Sequence, residues 1–523
     1  MSRAAARRSP PTPKADGPDL PQKGNALMPY DLVIRHATLI SGDGSARFEA
    51  DLAVAGDRIA AIGRLDHARG TLEIDAAGKI VAPGFIDVHT HDDGALLALR
   101  GMDPKISQGV TSVIAGNCGV SLAPLLLERT PPPPFTLVGG QENFRFDRFA
   151  DYVAELRQHG IATNAALLVG HTTLRQRVMP VTDRPANDAE TILMQEAVAQ
   201  AMAEGAFGLS TGLDYPPAVN SSTEEVKALA ATVARLGGPY VTHTRNYFET
   251  MDEAIEEAID IAGHAGGKLF ISHHQCTGRA NFGKSGPSLK RIDRARETMD
   301  IGMDVYPYAA SSTVLRLERC DTGLKILITW SDPHPEMARR ELSDIAREWH
   351  CSEREAGRRL LPAGAVYFQL DETDVRNIIA HPRTMIGSDG LPHDIHPHPR
   401  LWGTFARVLG HYARDVGLFS LEEAVHRMTG LPAREFGIDR RGVLAEGNFA
   451  DLVIFDPATI IDTATFEEPR QPAAGIEHVF VNGISVWRDG KATGALPGTV
   501  LKPSASPKII KGACSCGADH SAS

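Results

Sequence analysis

Short apolar runs recur through the middle of the chain and alternate with stretches of helical periodicity. The runs fall at residues 80–82, 111–114, 165–169, 206–209, 240–242, 269–272, 303–305 and 385–387. Between several of them, apolar positions repeat at helical spacing, most clearly over 188–204, 224–235 and 252–265. Strands separated by helices of this length predict a parallel sheet, because a parallel crossover needs a dozen or more residues. Eight such units predict a (β/α)8 barrel of the TIM type, with an open doubly wound sheet as the competing arrangement.

The two ends of the chain are patterned differently. Residues 31–34, 51–54 and 58–62 are short strand-like runs with Gly- and Asp-containing turns between them. At the far end, 451–455 and 478–481 are followed by the hairpin turn Asn482-Gly483 and the run 484–487. The pattern predicts a small β-sandwich built from both termini, residues 29–78 and 441–500, flanking a barrel over 79–440. Residues 309–383 are too long for a simple βα loop and hold a helical stretch at 335–361, which predicts a lid inserted over the barrel mouth.

Composition narrows the function. With 523 residues, 42% apolar and 23% charged, the chain suits a large barrel with a satellite domain. A net charge of -11 argues against a nucleic-acid surface, and no apolar run approaches the roughly 18 residues that span a bilayer. Six cysteines in so long a chain do not make a secreted disulfide framework, so a reducing, cytoplasmic setting is expected. Arg3, Arg7 and Arg8 are followed by no apolar stretch, so residues 1–28 are expected to be a disordered leader and no secretory signal. Residues 501–523, with Cys514 and Cys516, are expected to be a disordered tail.

The chemistry concentrates at strand ends. In Asp87-Val88-His89-Thr90-His91, an extended backbone turns His89 and His91 to one face, where two imidazoles can share a metal ion. Cys118, His243, His273 and Asp389 then each follow a different predicted strand. Barrel active sites are built at that C-terminal rim, where residues distant in sequence converge. Imidazole, thiolate and carboxylate together are the donors that zinc takes. Each alone reads more simply as a buried cysteine or a hydrogen-bonded histidine; their shared placement singles them out.

These residues lie in motifs that resemble the N-acyl-D-amino-acid deacylases, or D-aminoacylases, of the amidohydrolase superfamily. The motifs are Gly84-Phe85-Ile86-Asp87-Val88-His89-Thr90-His91, Gly116-Asn117-Cys118-Gly119, Gly208-Leu209-Ser210-Thr211-Gly212-Leu213-Asp214-Tyr215, Ser272-His273-His274, Asp304-Val305-Tyr306-Pro307-Tyr308, Ser388-Asp389-Gly390 and His398-Pro399-Arg400. The resemblance runs from about residue 30 to about 490. It implies a tight zinc held by Cys118, His243 and His273, a weaker metal position at His89, His91 and Asp389, and Asp389 as general base. It also implies an α-carboxylate held by Arg400, Tyr306 and Ser312, with Tyr215 lining the pocket. Gln275 stands where the family carries a lysine, which removes a positive charge from that region. The expected substrate is a small N-acyl amino acid; the oligomeric state stays open. Three other readings are a cyclic amidase, a non-catalytic scaffold on the same fold, and a redox or nucleophilic role for Cys118. Against the first, the fourth strand lacks the lysine that bridges metals in most of the superfamily, and Cys118 fits that place.

Overall fold

The apolar run at residues 80–82 is not the first barrel strand. In the computed structural model, which describes residues 30–504, Ile80–Pro83 pairs antiparallel with Leu452–Phe455 and parallel with Thr38 and Leu39. It therefore belongs to the terminal sheet, and the barrel begins at Phe85–Asp87. Both segments are fully buried, so neither carries the polar alternation that would tell one sheet from the other. Gly84, between them, passes close to the second barrel strand, where a Cβ would meet the Thr111 side chain at 2.1 Å.

The barrel strands are Phe85–Asp87, Val110–Ala115, Asn164–Leu167, Leu209–Gly212, Tyr240–His243, Leu269–Ile271, Ile301–Val305 and Thr384–Ile386. They are parallel neighbours in chain order. The third strand pairs with the second through Asn164–Leu167 and with the fourth through Val169–Gly170. A parallel bridge between Thr90 and Gly390 joins the segments leaving the first and eighth strands and closes the ring. The fourth strand lies three residues later than the predicted 206–209, at Leu209–Gly212.

Local signals fix the surrounding helices. Asp188–Ala203 starts on a capping box of Asn187 and Glu190, Thr223–Arg235 on the Ser222 hydroxyl, and Met251–Ala265 ends on left-handed Gly266.

The insertion is shorter than predicted. Ser311–Val314, Ile326–Ser331 and Ala363–Tyr367 form an antiparallel three-stranded sheet, with Leu342–Glu348 and Glu353–Leu360 packed on it. Its own core includes Ile328, Ile345, Leu360 and Tyr367. Glu372–Ala380, inside the predicted 309–383 boundary, puts Val375, Ile378 and Ile379 into the main barrel core and is an ordinary barrel helix.

Strands from both termini join one connected nine-stranded sheet, with Leu32, Ile34, Val54, Leu452, Ile454 and Phe480 in a shared core. Tyr30–Leu39 changes partner midway, from Gly70–Asp75 to Ile80–Pro83, with His36 at a φ of 55°. The expected leader at 1–28 lies outside the described residues, as do Cys514 and Cys516. The expected tail begins too early, since Leu501 donates to Ala165 O at 2.8 Å. Among the described residues, no helix is long and apolar enough to cross a membrane.

Candidate metal and active site

Each of the six expected donors reaches the same end of the barrel. His89 and His91 leave the first strand, Cys118 follows the second, His243 ends the fifth, and His273 and Asp389 follow the sixth and eighth. All are buried, from 0% exposure at His89 to 7% at His243 and Asp389. Gly387 permits the close passage of the eighth strand, because a Cβ there would sit 2.5 Å from His89 Cβ.

The donors form a continuous row. His91 Nε2 is 3.1 Å from Asp389 Oδ1, which is 3.6 Å from His89 Nε2. His89 Nε2 is 3.2 Å from Cys118 Sγ, Cys118 Sγ is 3.4 Å from His273 Nε2, and His273 Nε2 is 3.0 Å from His243 Nδ1. Two groups have ligand atoms all within 4.8 Å of one another: His89, Cys118 and His273, and His89, His91 and Asp389. His89 belongs to both groups, and His243 stands beside His273.

Backbone strain gathers here. Cys118, His273 and Asp389 have φ of 52°, 32° and 48°. Histidine and aspartate enter the left-handed region more readily than most residues, but cysteine rarely does, and such conformations concentrate at functional sites.

The electrostatics suit a cation. Burial opposes a thiolate at Cys118, but His89 and His273 beside it, with hydrogen bonds from His243 and His273, hold its thiol well below the usual range. Burial likewise opposes ionisation of Asp389, yet the Arg400 guanidinium and His91 hold its carboxyl well below the ordinary value. One soft thiolate, several imidazoles and a carboxylate in a dry cleft are the donor chemistry of zinc.

A supporting layer, absent from the sequence reading, orients these donors. Asp304 takes His89 Nδ1 at 3.3 Å and the His273 backbone N–H at 2.9 Å, which turns His89 Nε2 toward the other donors. Asp304 sits between core-facing Met303 and Val305, so strand alternation could have found it. Lys105, 1% exposed, reaches Asp87 Oδ2 and Ser388 Oγ at 2.8 Å and Asp92 at 3.3 Å. Asp87 Oδ1 in turn accepts the backbone N–H groups of His89 and Ser388. No sequence signal marks Lys105. Asp214, within a quoted motif but given no role, lies 3.8 Å from His243 Nε2 and 2.8 Å from Arg316.

Tyr215, Gln275, Tyr306 and Ser312 line a cavity of about 30 Å3 beside His91, His243, His273 and Asp389. Tyr306 OH donates to Gln275 Oε1 at 2.6 Å, and Tyr215 OH lies 3.0 Å from Thr313 Oγ1. Arg400 does not line this cavity. It stands one layer behind, fully buried, with Nη2 on Ser312 O at 3.0 Å, Nη1 2.8 Å from Asp389 Oδ2, and the Tyr306 ring over its guanidinium at 4.4 Å. The Asp389 contact is an ion pair outside hydrogen-bond geometry, and Arg400 Nε and Nη1 have no hydrogen-bond acceptor among the described residues.

The amidohydrolase family profile matches residues 72–348 and 355–487. The chain is 50% identical to a D-aminoacylase of Alcaligenes xylosoxydans xylosoxydans, over 91% of this chain and 99% of that protein. It is 48% identical to an N-acyl-D-aspartate deacylase of the same organism, over 90% and 95% of the two chains. A crystal structure of N-acyl-D-glutamate deacylase from Bordetella bronchiseptica, complexed with zinc and a phosphonate mimic of the tetrahedral intermediate, superimposes with a TM-score of 0.88 at 45% identity, covering 91% of this chain and 100% of that one. With this coverage and a donor row at the barrel rim, the chain belongs to the D-aminoacylase group of the amidohydrolase family.

Proposed function

We propose that this protein hydrolyses the amide bond of N-acyl-D-amino acids, with zinc as cofactor. The observation that carries the reading is the row of six buried imidazole, thiolate and carboxylate donors at the barrel rim, ended by the Arg400 guanidinium 2.8 Å from Asp389. An N-acyl amino acid brings a carboxylate, and a buried guanidinium suits that charge. Tyr306 and Ser312, on either side of Arg400, complete the carboxylate site, and Tyr215 borders the scissile bond.

Cys118, His243 and His273 would hold the tight ion, and His89, His91 and Asp389 the weaker position. Zinc there supplies Lewis acidity, polarising the amide carbonyl and acidifying water. Asp389, between His91 and Arg400, accepts the proton released as water attacks the carbonyl and returns it to the departing amine nitrogen. Proton transfer of this kind contributes about 10²–10⁴-fold. Asp304 keeps His89 in the tautomer that leaves Nε2 free, and Lys105 with Asp87 fixes the backbone of His89 and Ser388. The three-stranded insertion acts as the lid that excludes water.

D selectivity follows the relatives. A cyclic amidase is disfavoured because Leu209–Gly212, the fourth strand, carries no lysine. The test is a panel of N-acetyl D- and L-amino acids and hydantoins, offered to metal-stripped and zinc-loaded protein. Turnover of the D series alone, only with zinc, is expected; turnover of hydantoins alone would overturn the reading.

A further inference from the structure

The catalytic cavity shares one wall with a much larger groove. Asp214 and Arg316 line both the cavity of about 30 Å3 and an outer groove of about 770 Å3. The groove wall is largely apolar, with Pro216, Pro217, Val219, Leu315, Leu317 and Leu361. We infer that this groove is the subsite for the acyl chain, that the Asp214–Arg316 ion pair is its gate, and that the enzyme accepts N-acyl groups well beyond acetyl. The inference rests on the deacylase reading and deepens it.

The direction comes from the order of contacts. From one end the row runs Arg400, Asp389, His89, Cys118, His273, His243, Asp214, Arg316, with successive separations of 2.8, 3.6, 3.2, 3.4, 3.0, 3.8 and 2.8 Å. Two arginines therefore cap opposite ends of the donor row. The insertion strand Ser311–Val314 follows the same line: Ser312 O bonds Arg400, Thr313 lies on Tyr215, and Arg316 ends on Asp214. An N-acyl amino acid has a matching order: carboxylate, α-carbon, nitrogen, carbonyl carbon, acyl chain. With its carboxylate at the Tyr306 and Ser312 end of the cavity, in front of Arg400, and its carbonyl at the donors, the chain beyond the carbonyl heads for the Asp214–Arg316 pair. An acetyl methyl stops short of the pair, whereas a longer chain must pass it and then meets apolar surface.

The gate is built to open without stranding a charge. Arg319 Nη2 stands 4.0 Å from the same Asp214 oxygen, so Asp214 keeps a cation beside it when Arg316 swings outward. A partly buried carboxylate left with no cation would make the motion costly. The Arg316 stem can then lie along the chain while its guanidinium reaches solvent.

The test compares kcat/KM of zinc-loaded enzyme for N-acetyl and N-octanoyl forms of one D-amino acid. Two variants narrow or charge the groove away from the donors: Val219→Trp, at a residue 43% exposed, and Leu317→Asp, each checked for native circular dichroism. The wild type should hydrolyse both substrates, and both variants should lose at least about tenfold on octanoyl relative to acetyl while the acetyl rate holds, since each buried methylene is worth about 0.8 kcal/mol. The inference is overturned if the wild type hydrolyses acetyl but not octanoyl. It is also overturned if folded variants treat the two acyl groups alike, or if they discriminate between N-acetyl-D-alanine and N-acetyl-D-tryptophan instead, which would give the groove to the side chain. A wild type that hydrolyses no N-acyl-D-amino acid would instead remove the deacylase reading itself.

Discussion

Replacing Arg400 by methionine keeps most of the buried volume and removes the charge. Two of its donors, Nε and Nη1, have no hydrogen-bond acceptor among the described residues, and each bond to a charged partner is worth about 1.5–3 kcal/mol. A carboxylate held bidentately along one edge of the guanidinium takes two such bonds, about 3–6 kcal/mol. Asp389 Oδ2 already draws on Nη1 at 2.8 Å, so the lower end applies, on the order of 10²-fold in kcat/KM at about 1.4 kcal/mol per tenfold. Loss of Arg400 also disturbs Asp389, which would slow any substrate. The assay therefore pairs each N-acyl-D-amino acid with its C-terminal carboxamide, which needs Asp389 but has no carboxylate. Arg400→Met should cut the acid's kcat/KM about 10²-fold further than the amide's. If acid and amide fall together, Arg400 serves only Asp389 and the carboxylate site is elsewhere.

Three further outcomes follow from the buried groups. Lys105→Met leaves Asp87 and Asp92 without their cation, and breaking a buried pair costs about 3–5 kcal/mol; an unchanged urea midpoint would refute that account. Cys118→Ala should lose the tight zinc on dialysis and His91→Ala should keep it, as metal analysis would reveal; retention by both would exclude Cys118 as a donor to the tight ion. Burial pushes Asp394 up to about 7 from 3.8, so its native form holds a proton that the unfolded chain releases. That contribution is complete at acid pH and disappears as pH rises through about 7. Asp394→Asn, which resembles the protonated form, should gain on wild type between pH 5 and 8, by at most about 4 kcal/mol at pH 8. Parallel stability curves would contradict this.

The sequence made the donors legible and their support illegible for one reason. Histidine and cysteine are scarce here, 20 and 6 among 523 residues, and each donor sits just past a buried strand, so position and rarity together pick it out. Acids and bases number 65 and 54, and nearly any of them could be solvated surface. Lys105 gains its meaning from Ser388, 283 residues away, and Asp214 from Arg316, 102 residues away. No local pattern encodes pairings at that range. The same limit explains the displaced first strand, because Ile80–Pro83 and Phe85–Asp87 are equally buried and only their partners differ. It also explains the misplaced end of the insertion, since Glu372–Ala380 has the same amphipathic pattern whether it covers a lid or a barrel. Arg400 stood out only through a likeness of motif, and its burial behind the cavity wall could not be read from a Pro-rich segment. Residue chemistry therefore locates a metal row, while long-range pairing decides how far it extends. In this fold that pairing carries the row from Arg400 at one end to Arg316 at the other, which gives the site a direction that no single motif contains.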